Sequence, residues 1–103
     1  MPKHSRLARY AYTGDVYELA RRAEAELLPQ YQQMPGFKAF SVAVTDDELF
    51  SFTVWETADQ AEAANTTAAN WVSASGFDLT PRELHIGEVV LSTTLGVHAP
   101  ATV

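Results

Sequence analysis

The sequence predicts an α+β fold with element order β-α-β-β-α-β, an antiparallel sheet carrying both helices on one face. Three observations predict it. Phe37 to Val44 and Leu49 to Trp55 read as a hairpin, because Val44 and Leu49 flank the polar turn Thr45-Asp46-Asp47-Glu48. One amphipathic helical pattern precedes that hairpin and an alanine-rich one follows it. A further strand pattern stands outside each helix, over residues 5–12 and Leu84–Ser92.

The first strand, Ser-Arg-Leu-Ala-Arg-Tyr-Ala-Tyr, sets Leu7, Arg9 and Ala11 on one face and Ala8, Tyr10 and Tyr12 on the other. Thr13-Gly14 breaks it. Asp15 with Glu18 three residues on resembles a capping box, and Val16, Leu19, Ala20, Ala23 and Leu27 then form one helical stripe. Pro29 is expected to end or kink this helix, because its ring clashes with the preceding turn. Residues 30–34 read as an irregular or short helical link to Pro35-Gly36.

With Asp46 and Asp47 as the turn, the hairpin pairs Val44 with Leu49, Val42 with Ser51 and Phe40 with Thr53 on one face. On the other face Ala43 meets Phe50, Ser41 meets Phe52 and Ala39 meets Val54. Large side chains then oppose small ones across the pleat.

Thr57 is the expected N-cap of the second helix, Asp59 suits its positive end, and the helix runs to about Ala74 before Ser75-Gly76 stops it. Its inward stripe is Ala61, Ala64 or Asn65, Ala68, and Trp71 or Val72. Side chains this small mean that the helix lies very close to the sheet or leaves a pocket above it. Residues 76–83 read as a loop anchored by Phe77, and in the last strand Val89-Val90-Leu91 loads both faces. Thr93–Val103 is a weakly patterned tail, disordered or lying as an arm on a partner subunit.

At 103 residues the chain has room for one domain, read here as 1–103 with its core over 5–92. A hydrophobic content of 47% and a charged content of 19% are those of a soluble globular protein. No apolar run approaches the roughly 18 residues of a membrane span, and Met-Pro-Lys-His-Ser-Arg leads into no signal-peptide core. Cysteine is absent, which excludes disulfides, thiolate chemistry and zinc–thiolate sites and makes the cytoplasm the expected compartment. Seven Lys/Arg against thirteen Asp/Glu give a net charge of −6, unsuited to a phosphate backbone, so nucleic acid is not an expected partner. The hairpin strands are apolar on both faces, whereas a half-exposed antiparallel strand alternates. Helices cover one face, and a second copy of the chain is expected to cover the other.

The assembled order is the ferredoxin-like split β-α-β arrangement. Met34-Pro35-Gly36-Phe37 enters the second strand, Val54-Trp55-Glu56-Thr57 leaves the third, and Asn70-Trp71 lies late in the second helix. In these residues, and in element order over residues 6–92, the chain resembles the antibiotic-biosynthesis-monooxygenase-like proteins of the dimeric α+β barrel group. The resemblance implies a homodimer with two sheets facing one another. It further implies a cofactor-independent oxygenase that converts a small aromatic or polyketide-like molecule, such as an anthrone, with molecular oxygen and neither metal nor flavin. Alternatives on the same fold are a non-catalytic small-molecule-binding or stress-response dimer and a polyketide cyclase or isomerase.

Toward that chemistry the candidate catalytic residues are Trp71, Asn65 and His85. Trp71 would flank a flat substrate, and Asn65 would donate to its carbonyl from the same inward face. Asn70, adjacent to Trp71, faces another way and is a candidate for binding only. His85 is the histidine placed to act as an internal base, since His4 and His98 lie near the ends. Arg9, Tyr12 and Trp55 complete the candidate substrate contacts. Each has a structural reading beside the functional one: core packing for Trp71 and Trp55, a satisfied hydroxyl for Tyr12, an exposed strand position for His85. For Arg9 that reading is an ion pair, with Glu88 the candidate partner. No metal-ligand spacing, phosphate loop or nucleophile elbow occurs, and the second helix has no histidine to ligate haem.

Overall fold

The chain runs β1 (His4–Thr13), α1 (Val16–Arg22), a π-helical turn (Ala23–Leu27), α2 (Leu28–Gln32), β2 (Phe37–Val44), β3 (Glu48–Trp55), α3 (Ala58–Ser75) and β4 (Asp78–Glu88). This computed structural model describes residues 2–99, so the end of the expected tail lies outside the described residues. The four strands form one antiparallel sheet in the order β2-β3-β1-β4, with the helices on one face. That is the ferredoxin-like α+β arrangement, with β1 inside the sheet between β3 and β4.

The hairpin takes the register that side-chain volumes favour: Val44 pairs with Leu49, Val42 with Ser51 and Phe40 with Thr53, and on the opposite face Ser41 pairs with Phe52. Its turn closes through Thr45 N–H to Glu48 O at 2.8 Å and Glu48 N–H to Thr45 Oγ1 at 3.1 Å.

Asp15 caps α1, its Oδ1 accepting from the N–H groups of Tyr17 (3.0 Å) and Glu18 (3.1 Å). Glu18 pairs with Arg21 at 2.7 Å, so among the described contacts the cap is a single Asp rather than a reciprocal box. Of the two outcomes expected at Pro29, an end or a kink, the helix does not end there: helical structure continues to Gln32, interrupted by the π turn just before the proline. The N–H of Leu28 reaches back five residues to Ala23 O, and this wide turn restarts the helix so that Pro29 falls in the first turn of α2. There its missing N–H removes no helical bond.

Thr57 caps α3 in a complete box: Gln60 N–H donates to Thr57 Oγ1 at 3.2 Å and Thr57 N–H to Gln60 Oε1 at 3.1 Å. Ala61, Ala64 and Ala68 are at most 3% exposed, and the first two share one buried cluster with Tyr10, Leu27, Tyr31 and Trp55. Close approach is therefore the outcome of the small stripe. Bulk comes from the aromatic rings at one end of the core, where Tyr31 meets Phe40 edge-on at 5.2 Å and Trp55 at 5.6 Å.

The last strand begins at Asp78 and not at Leu84, and Val89-Val90-Leu91 lies beyond its end at Glu88. A bulge hides the early half from pattern reading: Arg9 pairs with Glu83, but Tyr10 pairs with Pro81, which leaves Arg82 as an extra residue. Pro81 is tolerated because β4 is an edge strand. Within the tail, Ser92 and Val97 exchange backbone hydrogen bonds at 2.8 and 3.0 Å around a short turn. No helix among the described residues is long and apolar enough to cross a membrane.

Gly36 joins the two ends of the hairpin to α3. Its φ is +80°, its carbonyl accepts from Glu56 N–H at 2.9 Å, and a Cβ there would overlap the Gln60 side-chain amide of the capping box. Gly76, at φ +79°, has nothing within 4 Å of a built Cβ. Gly36→Ala is expected to cost roughly 2–3 kcal/mol, left-handed strain plus a broken cap, against about 1 kcal/mol for Gly76→Ala. Urea unfolding of the two variants checks this, and equal losses would show that the overlap with Gln60 is relieved at no cost.

Candidate functional site

Alternation along β1 turns Arg6, Ala8 and Tyr10 toward the helices, where all three are buried. The alanine face of α3 covers their middle. Asn65, Ala69 and Val72, which also stand on α3, line a cleft of about 550 Å³ together with Arg6, Ala8 and Tyr10 and with Leu79, Pro81 and Leu84 of β4. Leu84, opposite Ala8 in the register, lines the cleft and is 47% exposed. Space for a ligand therefore lies beside the alanine stripe and not beneath it.

Arg6 is 4% exposed. Its Nε donates to Asn65 Oδ1 at 2.5 Å, and Nη1 is buried with no hydrogen-bond partner. A guanidinium only donates, so this contact fixes the amide: Oδ1 faces Arg6, and Nδ2 is without a protein acceptor among the described residues. None of the ion pairs among the described residues involves Arg6. Tyr31, deeper in the core, also has a buried hydroxyl with no partner, and burial pushes that phenol up to about 12, partly opposed by the positive charge of Arg6.

Of the residues expected from the sequence, Asn65 alone lines the cleft. Trp71 is 7% exposed, packs in the core near Phe77 (6.4 Å between ring centroids) and donates from Nε1 to Glu26 Oε1 at 3.0 Å. Trp55 is fully buried, its Nε1 donating to Thr53 Oγ1 at 2.9 Å. Asn70 is exposed, on a part of α3 that does not line the cleft. The Tyr12 hydroxyl donates to Thr45 O at 2.7 Å and ties β1 to the hairpin turn.

Arg9 and His85 stand on the open face of the sheet. Arg9 bridges Glu48 on β3 and Glu83 on β4, and His85 Nε2 meets the other Glu83 oxygen at 2.9 Å. Glu88 is not the partner of Arg9, because it lies opposite His4, five residues from Arg9's own cross-strand neighbour Glu83. Arg6 is the residue that pattern reading passed over. Two positions before Ala8, it falls on the helix-facing side of β1, so the signal was present in the alternation.

Three carboxyls are held below the ordinary range: Glu26 by Arg22 and then the Trp71 indole, Glu56 by Lys38, and Glu83 by His85 and then Arg9. A depressed carboxyl contributes stability that is present above the unfolded value of about 4.3 and is lost as pH falls through the folded value. Tm is therefore expected to fall as pH drops from about 5 toward about 3, by less in Glu83→Gln than in the parent. Trp71→Phe should remove about 1 kcal/mol through the lost hydrogen bond and leave ligand binding in the cleft unchanged. Thermal scans and a binding titration check both expectations.

No family profile and no curated protein matches the sequence. Solved structures do match the fold. SnoaB, a cofactor-independent oxygenase from Streptomyces nogalater, superposes with a TM-score of 0.68 at 14% identity over 90% of this chain and 98% of its own. The NE2512 protein of unknown function from Nitrosomonas europaea gives 0.69 at 18% identity, covering 90% and 94% of the two chains. A proposed antibiotic biosynthesis monooxygenase from Chloroflexus aurantiacus gives 0.64 at 16% identity, covering 91% and 99%. At these identities the likeness is one of fold: the chain has the ferredoxin-like α+β fold found in antibiotic biosynthesis monooxygenase structures.

Proposed function

We propose that this chain is a cofactor-independent monooxygenase that oxidises a small aromatic, polyketide-like molecule with molecular oxygen in the cleft between α3 and β4. One observation carries the reading: Arg6 holds Asn65 in a fixed orientation on the wall of a roomy cleft, with an amide donor left over for a substrate carbonyl. The likeness to a cofactor-independent oxygenase supports it, and the absence of cysteine suits a cytoplasmic enzyme.

The chemistry needs an acidic carbon beside a carbonyl, as in an anthrone. Loss of the proton to water gives a carbanion delocalised onto the carbonyl oxygen, and a donor at that oxygen stabilises it. The anion passes one electron to oxygen, the resulting radical and superoxide combine, and the protonated peroxide loses water. In the net change one methylene group and one dioxygen molecule become one ketone carbonyl and one water, with no outside reductant.

The same reading includes a homodimer. Leu7 and Phe52, each 37% exposed, are cross-strand neighbours on the open face of the sheet, beside Phe50 and next to the charged group of Arg9, Glu48, Glu83 and His85. Two such sheets packed about 10 Å apart bury both faces.

The test is oxygen uptake on a panel of anthrones and hydroquinones by chelator-treated protein. Uptake above the spontaneous rate is expected, falling about 10²–10³-fold in Asn65→Ala. It should vanish in Ala69→Trp, which fills the cleft from an exposed helix position. Uptake no faster than buffer would overturn the oxygenase reading in favour of a cyclase or a binding protein. Light scattering at micromolar concentration should give a dimer and, for Phe52→Asp, a monomer; a monomeric parent protein would overturn the barrel.

A further inference from the structure

We propose that the ligand of this cleft is an acid: a planar aromatic molecule that arrives carrying an oxyanion, a carboxylate or an ionised phenol or enol, and pairs it with Arg6. The proposal rests on the reading of the cleft as the substrate site, and goes beyond it in fixing the charge of what binds.

The argument is one of unbalanced charge. Arginine stays protonated, so Arg6 is a permanent positive charge at 4% exposure. Burying such a charge without a counter-ion is costly, and its partner here is a neutral amide that uses one of the five guanidinium N–H groups. The chain has thirteen Asp and Glu side chains, so acids are not scarce. Arg9, Arg21 and Arg22 each pair with at least one of them. Arg6 and Arg82 are the two arginines with no carboxylate partner among the described residues, and both line this cleft.

The one acid that lines the cleft does not neutralise them. Both oxygens of Glu83 are engaged on the open face of the sheet, one by Arg9 and the other by His85. A chain of net charge −6 thus presents a cleft that is locally positive. A guanidinium N–H gives a carboxylate a charge-assisted hydrogen bond, and low-dielectric walls strengthen the attraction. Beside the polar Tyr10, Asn65 and Ser73, the walls Ala8, Ala69, Val72, Leu79 and Leu84 are apolar and suit a flat ring system.

The experiment compares anthracene-2-carboxylate with the uncharged 2-(hydroxymethyl)anthracene by fluorescence titration against the full chain. The carboxylate should bind at least about tenfold tighter, a difference that one charge-assisted pair supplies. In Asn65→Asp the chain itself places a carboxylate against Arg6, so the preference should disappear while Tm holds or rises. Arg82→Gln, at an exposed position, should weaken the preference several-fold with Tm unchanged. Equal binding of the two probes, no binding of either, or a preference that survives Asn65→Asp would each overturn the proposal and leave Arg6 satisfied from within, for example by a buried water. Oxygen uptake is read separately. Acid preference without uptake sinks the oxygenase alone, and uptake on neutral anthrones without acid preference sinks the anion site alone.

Discussion

The pleat of β1 is the constraint on which the rest of this structure depends. The strand lies inside the sheet, paired to β3 on one side and β4 on the other, so its parity is fixed twice. Arg6, Ala8 and Tyr10 point toward the helices; Leu7, Arg9 and Ala11 belong to the open face. A slip of one residue would exchange Arg6 with Leu7 and drive Arg9 beneath the helices, away from both of its glutamates. The bulge at Arg9/Tyr10 keeps this parity while taking up one extra residue on β4, and that residue, Arg82, lines the cleft.

Two arginines three positions apart on one strand therefore meet opposite environments. Arg9 is compensated twice over, by Glu48 and Glu83, on a face otherwise built of Leu7, Phe50 and Phe52. Arg6 is more deeply buried and compensated by an amide alone. An ion-pair network on an apolar face sets orientation for whatever packs there, whereas a buried cation with spare donors acts on whatever enters beside it.

The helix α3 divides its surface along similar lines. Ala61, Ala64 and Ala68 bring its backbone close to the sheet, and Tyr31, Phe40 and Trp55 supply the bulk at one end of that contact. On the neighbouring face of the helix, Asn65 and Ala69 line the cleft together with Leu79, Pro81 and Leu84 of β4. Trp71 closes the far end of the core through its bond to Glu26, and Arg22 ties the first helix to α3 through Ser75 O at 3.0 Å while lying over Phe77. The aromatic residues that look most like a binding site are thus the ones that hold the layers together.

Much of the fold was legible in the sequence because its cues are local. Period-2 and period-3.6 alternation, the Asp15 and Thr57 caps, Gly76 and the volume-matched hairpin pairs each act within a few residues, so element order and hairpin register follow from them. The start of β4 is hidden where a bulge interrupts the alternation, and at Pro29 a π turn lets helical structure run on through the proline. Of the candidate site residues read from the sequence, Asn65 is the one that lines the cleft. Strand parity turns His85 to the open face, Trp55 and Trp71 are taken up in the core, and the crossing of α3 over β1 brings Arg6 against Asn65 across 59 positions of chain. The face of Arg6 is written in the alternation of β1, but its meeting with Asn65 comes from packing between distant elements, and no window of sequence contains that.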